Sequence, residues 1–186
     1  MGFSFQSLIV PEVILIKPEV FNDSRGFFLE AYQYQSFHNN GINDVFVQDN
    51  HSKSDRKGVI RGLHFQAAPM AQAKLVRVIA GSIFDVAVDI RVGSPTYRQS
   101  VSQVLSSENK EMLYIPVGFA HGFCVLEENT EVIYKCSNVY SKEHDRGVFF
   151  NDQDIAINWP VKNPQLSEKD KSWPLLKELE VFFKYE

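Results

Sequence analysis

The sequence predicts an all-β domain, a sandwich or barrel of many short strands. Three observations predict it. Short runs rich in β-branched and aromatic residues recur along most of the chain. Gly, Pro, Asn, Asp and Ser separate these runs, as hairpin turns require. Helical spacing is confined to two brief stretches. The 186 residues are 44% hydrophobic with 15 Phe, enough for one domain with a sizeable core filled by large rings.

Taken in order, Leu8 to Lys17 is a β-branched run with Pro11 inside it, which predicts an edge or terminal strand, because proline cannot donate to a central ladder. Asn22 to Gly26 is a turn, and Phe27 to Glu30 resumes extended chain. Tyr34 to Asn40 predicts a short helix stopped by Gly41. Val45 to His51 is a strand that becomes polar toward its end. Val59 to Gln66, between Gly58 and Pro69, is the next. Lys74 to Ala80 and Ile83 to Ile90 predict two strands joined tightly at Gly81-Ser82. After the Gly93-Ser94-Pro95 turn come Val101 to Leu105, Lys110 to Ile115, Ala120 to Leu126 and Glu131 to Val139. Residues 151–186 differ: they hold Pro160, Pro164, Pro174 and both Trp, with a helical pattern near Leu175 to Val181. They read as a tail packed over the β-domain, so that 1–186 is a single domain.

Composition excludes several classes. A formal net charge of -4 argues against general binding to nucleic acid or an anionic membrane. No apolar run approaches the roughly 18 residues of a membrane span, and Met1 to Val10 lacks a basic leader ahead of an apolar segment. Cys124 and Cys136 have apolar neighbours and no CxxC spacing, so they read as reduced core thiols and the compartment as cytoplasmic.

The chemistry is concentrated in Val59-Ile60-Arg61-Gly62-Leu63-His64-Phe65-Gln66, with Lys74 following. Arg61, His64, Gln66 and Lys74 place four polar heads close together; three can carry positive charge and one titrates near neutral pH. Such a cluster is costly in a core and useful in a pocket for an anion. Pro116-Val117-Gly118-Phe119-Ala120-His121 fits the P-x-G-x-x-H turn of cupin-type β-barrels, where the His re-enters the barrel and completes a metal site with an HxH pair and a Glu. Here Gln66 stands where the second His would be, and Lys74 where a carboxylate is wanted. An ammonium repels a divalent cation, so no metal is expected. A basic pocket without a metal suits proton abstraction beside a carbonyl. His64 would be the base, Lys74 would stabilise the enolate oxygen, and a different acid, with Tyr134 the candidate, would return the proton from the opposite face.

Many segments, from Arg25-Gly26-Phe27-Phe28-Leu29-Glu30 and Gln48-Asp49-Asn50-His51-Ser52 through Arg61 to Gln66, Lys74 to Val78, Asp85 to Arg91, Ser107 to Lys110, Pro116 to Phe123 and Tyr134-Lys135 to Leu166-Ser167-Glu168-Lys169-Asp170, resemble the dTDP-4-dehydrorhamnose 3,5-epimerase family. The resemblance runs from about Val13 to Leu176. It implies a cupin-type jelly-roll barrel with short peripheral helices and a C-terminal tail, a homodimer, and no metal or other cofactor. It implies His64 as base supported by Asp170, Tyr134 as acid and Lys74 at the C4 keto oxygen. Arg25, Glu30, Gln48, Asn50, Arg61, His121, Glu143 and Lys169 match positions that contact the substrate or its nucleotide. The implied substrate is dTDP-4-dehydro-6-deoxy-D-glucose, whose ketone acidifies both C3 and C5. One departure is Val139-Tyr140, where relatives commonly carry two tyrosines; single-carbon epimerases share much of the pattern.

Other readings compete at individual positions. Ser167 to Asp170 also fits a capping box that would occupy the Asp170 carboxylate at a helix start. His121 either holds the Pro116–Gly118 turn or meets a ligand. Arg25 and Glu30 could be a surface ion pair. Lys142 to Arg146 reads as a solvated charged turn from which Glu143 reaches a ligand.

Overall fold

The computed structural model describes residues 2–185. Two antiparallel sheets face each other. Nine strands enter first in the order β1 (Phe3–Ser7), β2 (Ile14–Pro18), β3 (Val20–Asp23), β4 (Gly26–Leu29), β5 (Gln48–Ser54), β6 (Ile60–Gln66), β7 (Lys74–Ala80), β8 (Ser82–Asp89) and β9 (Ser100–Ser106). They are followed by β10 (Met112–Ile115), β11 (Phe119–Val125), β12 (Thr130–Cys136) and β13 (Asp145–Gly147), with two short helices, α1 (Tyr34–Asn39) and α2 (Glu168–Lys171). The sheets run β1-β2-β10-β7-β12-β5 and β13-β6-β11-β8-β9, and β3-β4 forms a separate hairpin. This is the cupin-type jelly roll the sequence predicts.

Period-2 alternation decides what lies between the sheets. Val76, Val78, Ile83, Ala87, Leu113, Phe123 and Val132 point inward from both sheets and form the barrel core. The outer face of the five-stranded sheet presents Leu63, Phe65, Val86 and Val88. Ile155 and Leu176 cover it, with Trp159, Phe182 and Phe183 alongside. Burying side chains of this size contributes roughly 1.5–3 kcal/mol each, so this stretch stabilises the sheet that carries β6. The outer face of the six-stranded sheet is covered by Phe37 of α1, whose ring meets Phe3, Phe5 and Tyr32 edge-on.

Several elements differ from the sequence reading. Pro11 lies in a turn, not in a strand, so Leu8 to Lys17 supplies only β2, and β2 sits one place in from the edge, which is β1. The 45–51 strand starts later, at Gln48, and Val45 and Val47 are exposed. The helical pattern near Leu175 amounts to one 3-10 turn, Leu176–Glu178. β13 occupies part of what reads as a charged turn.

A bulge in β6 matters most for the site. His64 pairs with His121 and Arg61 pairs with Phe123, so two residues, Gly62 and Leu63, face the single Gly122 of β11. Residues three apart would otherwise point to opposite faces; the extra residue returns both Arg61 and His64 to the interior. The bulge depends on glycine. Gly62 has a φ of +131°, and a Cβ there would lie 2.5 Å from Gly122 Cα.

Candidate active site

The polar residues gather at the end of the barrel where β5 and β7 begin and β12 finishes. Register across the six-stranded sheet sets Cys136 between Gln48 and Lys74, and Tyr134 between Asn50 and Val76. The other sheet brings up Arg61, His64 and His121. A cavity of about 440 Å³ is lined by Arg61, His64, Lys74, His121, Tyr134 and Asp170, among others. A second, outer cavity of about 240 Å³ shares His64, Lys74, Tyr134 and Lys169 with it and adds Gln48, Asn50, Gln66, Tyr140 and Asp145, among others.

His64 Nε2 lies 2.5 Å from Asp170 Oδ1. Of the expected capping box only the Ser167 half forms, so the carboxylate is not taken up by the Ser167 backbone N–H. Asp170 Oδ2 accepts from the Ser167 hydroxyl at 2.8 Å, while Ser167 Oγ caps the helix by accepting the Asp170 N–H at 3.1 Å. The Ser167 cap and hydroxyl hold Asp170 in place and leave Oδ1 to His64. Burial works to raise the Asp170 pKa, but the His64 hydrogen bond and charge and the Ser167 hydroxyl outweigh it and hold the carboxyl below its ordinary value. Asp170 is an anion near neutral pH. Because Asp170 occupies Nε2, Nδ1 is the His64 atom left to take a proton.

Lys74 is drawn below the ordinary lysine range by burial, against the opposing pull of Cys136, Asp85 and Asp145. Its Nζ donates to the His64 carbonyl at 3.4 Å, which tethers the cation beside the base. Tyr134 is raised by burial, with a smaller opposing effect from Arg61, so its phenol stays protonated and can donate. His121 meets Asp85 diagonally across β11 and β8, with Nε2 2.6 Å from Oδ1, so it is held by a buried carboxylate and not by the Pro116–Gly118 turn. Burial depresses its pKa despite that partner, which makes it a neutral imidazole in the cavity wall.

The remaining expected residues divide. Gln48 and Asn50 line the outer cavity, joined by a 3.1 Å hydrogen bond. Lys169 borders both cavities, pairs with Asp145 and lies 5.3 Å from the Trp173 ring centroid. Arg25 and Glu30 line neither cavity. Arg25 pairs with Asp23 at the exposed tip of the β3–β4 hairpin, not with Glu30. Glu143 is exposed and lines neither cavity. It sits in the turn before β13, and Asp145, where that strand starts, is the carboxylate that faces the outer cavity. Val139 is half exposed and outside both cavities, whereas Tyr140 is in the wall.

Sequence reasoning missed Asp85, Asp145 and Tyr140. A signal for Asp85 existed: an acid in the apolar run Phe84-Asp85-Val86-Ala87 must be paired if it faces inward. Asp145 had no such signal, because short β13 has no visible period. Among the described residues, no group of three or more His, Cys, Asp or Glu is placed to hold a metal ion.

The arrangement joins a carboxylate-backed imidazole, a protonated phenol and a half-buried lysine amine in one cavity. The family model for dTDP-4-dehydrorhamnose 3,5-epimerase matches residues 7–178. A Shigella flexneri protein of that name is 54% identical over 87% of this chain and 89% of its own. One from Sinorhizobium fredii is 52% identical over 97% and 93%. The crystal structure of a Legionella pneumophila dTDP-6-deoxy-D-glucose-3,5-epimerase in complex with dTDP-4-keto-L-rhamnose superposes with a TM-score of 0.95 at 43% identity, covering 100% of both chains. A 3'-monoepimerase from Streptomyces bikiniensis is more distant, with 29% identity, a TM-score of 0.85, and 91% and 86% covered. By the extent of the match and by its fold, the chain belongs to the dTDP-4-dehydrorhamnose 3,5-epimerase family.

Proposed function

We propose that the protein converts dTDP-4-dehydro-6-deoxy-D-glucose to dTDP-4-dehydro-L-rhamnose by inverting both carbons that flank the C4 ketone. The observation that carries the reading is that the His64–Asp170 pair, Lys74 and Tyr134 share the wall of one cavity. His64 Nδ1 removes the proton from the carbon. The C–H electron pair becomes the enolate, with its charge on the C4 oxygen beside the Lys74 ammonium. The imidazolium now donates Nε2–H to the Asp170 carboxylate, whose lowered pKa keeps it charged for the purpose. Tyr134 returns a proton to the other face, and Arg61, which favours the phenolate, stabilises the tyrosinate until solvent reprotonates it and His64 gives its proton up to solvent. The same groups act at C3 and C5, because either carbanion delocalises onto the same oxygen.

Arg61, Lys169, Gln48 and Asn50 provide charge and hydrogen bonds for the diphosphate and nucleotide. Arg25 and Glu30 can reach such a ligand only from a second copy of the chain, since in one chain their hairpin stands clear of both cavities; a homodimer is therefore part of the reading. Two free, buried cysteines suit a cytoplasmic enzyme, as does a nucleotide-sugar substrate. Residues 1–186 act as one domain in this account, with the tail supplying Asp170 and Lys169.

Proton NMR of the substrate with the protein in heavy water is the test. Deuterium at both C3 and C5 with L-rhamno product is expected, and His64→Asn should abolish both. Deuterium at one carbon alone would replace the proposal with a single-carbon epimerase, and binding without exchange would leave a sugar-nucleotide binder.

A further inference from the structure

Gln66 stands at the position where a metal-binding barrel would carry its second histidine, and the chemistry above gives it no task. The structure does. Gln66 is buried at the end of β6, two residues beyond His64, and borders the outer cavity beside Tyr140, so the double variant below separates an effect through that ring from a direct contact. Its Oε1 accepts the Ser141 N–H at 2.7 Å, and its Nε2 donates to the carbonyls of Val139 at 3.1 Å and Met70 at 2.6 Å. From the opposite sheet, Gln48 Oε1 accepts the Tyr140 N–H at 2.9 Å. Gln72 Nε2 donates to the Asn138 carbonyl at 2.6 Å. Backbone groups of four successive residues, 138 to 141, are thus held by glutamine side chains instead of by strand pairing. A segment with no ladder of its own takes its conformation from whatever satisfies its polar groups.

We infer that Gln66 is a positioning residue for substrate binding: with Gln48 it clamps the 139–141 backbone and so fixes Tyr140 as a wall of the outer cavity. Tyr140 is held at its other end by Asp145, which accepts its hydroxyl at 3.0 Å and also pairs with Lys169. The clamp therefore connects the strand of the base, the strand of Asn50 and the cation at the junction of the two cavities. It is a neutral means of fixing an aromatic beside an anion site. A carboxylate at position 66 would repel both carbonyls and the anionic ligand. The inference rests on the proposed sugar-nucleotide reaction for its consequence, which is a role in substrate affinity and none in the proton transfers. Val139 contributes its carbonyl to the clamp and not its side chain to the cavity, so the departure from the paired tyrosines lies outside the wall.

The test combines Gln66→Met, Gln66→Glu, Tyr140→Ala and the double variant Gln66→Met with Tyr140→Ala. Amide hydrogen exchange without substrate is measured first. Gln66→Met should speed exchange at Ser141 by at least about tenfold, the equivalent of losing one to two neutral hydrogen bonds. Gln66→Glu, which keeps the acceptor, should protect that amide while still losing affinity. In steady-state assays Gln66→Met should raise KM about tenfold and leave kcat within about twofold. The double variant should be no worse than Tyr140→Ala alone, because Gln66 acts through that ring. Unchanged Ser141 protection, an additive double variant, or a fall in kcat at constant KM would each overturn the inference. Wild-type protein that leaves the substrate untouched would sink the proposed reaction instead, and the exchange data would still decide the clamp.

Discussion

Asp170→Asn isolates what the carboxylate does for His64. The side chain is 5% exposed and its partner 30%, so their 2.5 Å contact is largely shielded from water. The amide keeps the shape, and the residue-170 N–H still reaches Ser167 Oγ, so the helix cap survives. What is lost is the negative charge facing the imidazolium that forms when His64 takes the proton. A hydrogen bond to a charged group contributes roughly 1.5–3 kcal/mol, and about 1.4 kcal/mol is a factor of ten. Since the imidazolium exists only after proton transfer, the loss falls on the transition state. The expected result is a kcat lowered roughly ten- to hundredfold with KM within about twofold. The assay is the initial rate of solvent deuterium entering the substrate, paired with thermal unfolding to show that the fold is kept. A folded variant with near-normal exchange would refute the dyad.

Three further outcomes follow from the geometry. Tyr134→Phe should retain deuterium exchange while product formation falls by at least about a hundredfold; inversion at full rate would reject Tyr134 as the acid. Activity should decline on the alkaline side below the ordinary lysine pKa, because burial draws Lys74 down and its charge is lost as pH rises through that lowered value. A pH–rate profile of the wild type checks this, and an alkaline limb at the pKa of free lysine would contradict it. Gly62→Ala should cost about 3 kcal/mol or more, since the added Cβ meets backbone that has no side chain to move away, and thermal unfolding should show a drop of several degrees.

The sequence on its own determined the strand count in outline, the barrel class and a candidate cluster of polar residues, because those rest on local signals: alternation, turn residues and the run from Arg61 to Lys74. It could not decide which side chains share a face across a break in the alternation. The sequence groups Arg61 with His64, but strict alternation would put residues three apart on opposite faces; the β6 bulge, a pairing event with β11, is what turns both inward. Nor could it show that the two oxygens of Asp170 divide between His64 and Ser167, since 106 residues separate Asp170 from His64. Glu143 and Asp145 are alike in sequence, and only the pairing of β13 with β6 sets Asp145 against the cavity and leaves Glu143 in solvent. Composition and periodicity report what each strand prefers to bury. The site is made by long-range register, which a local pattern does not carry.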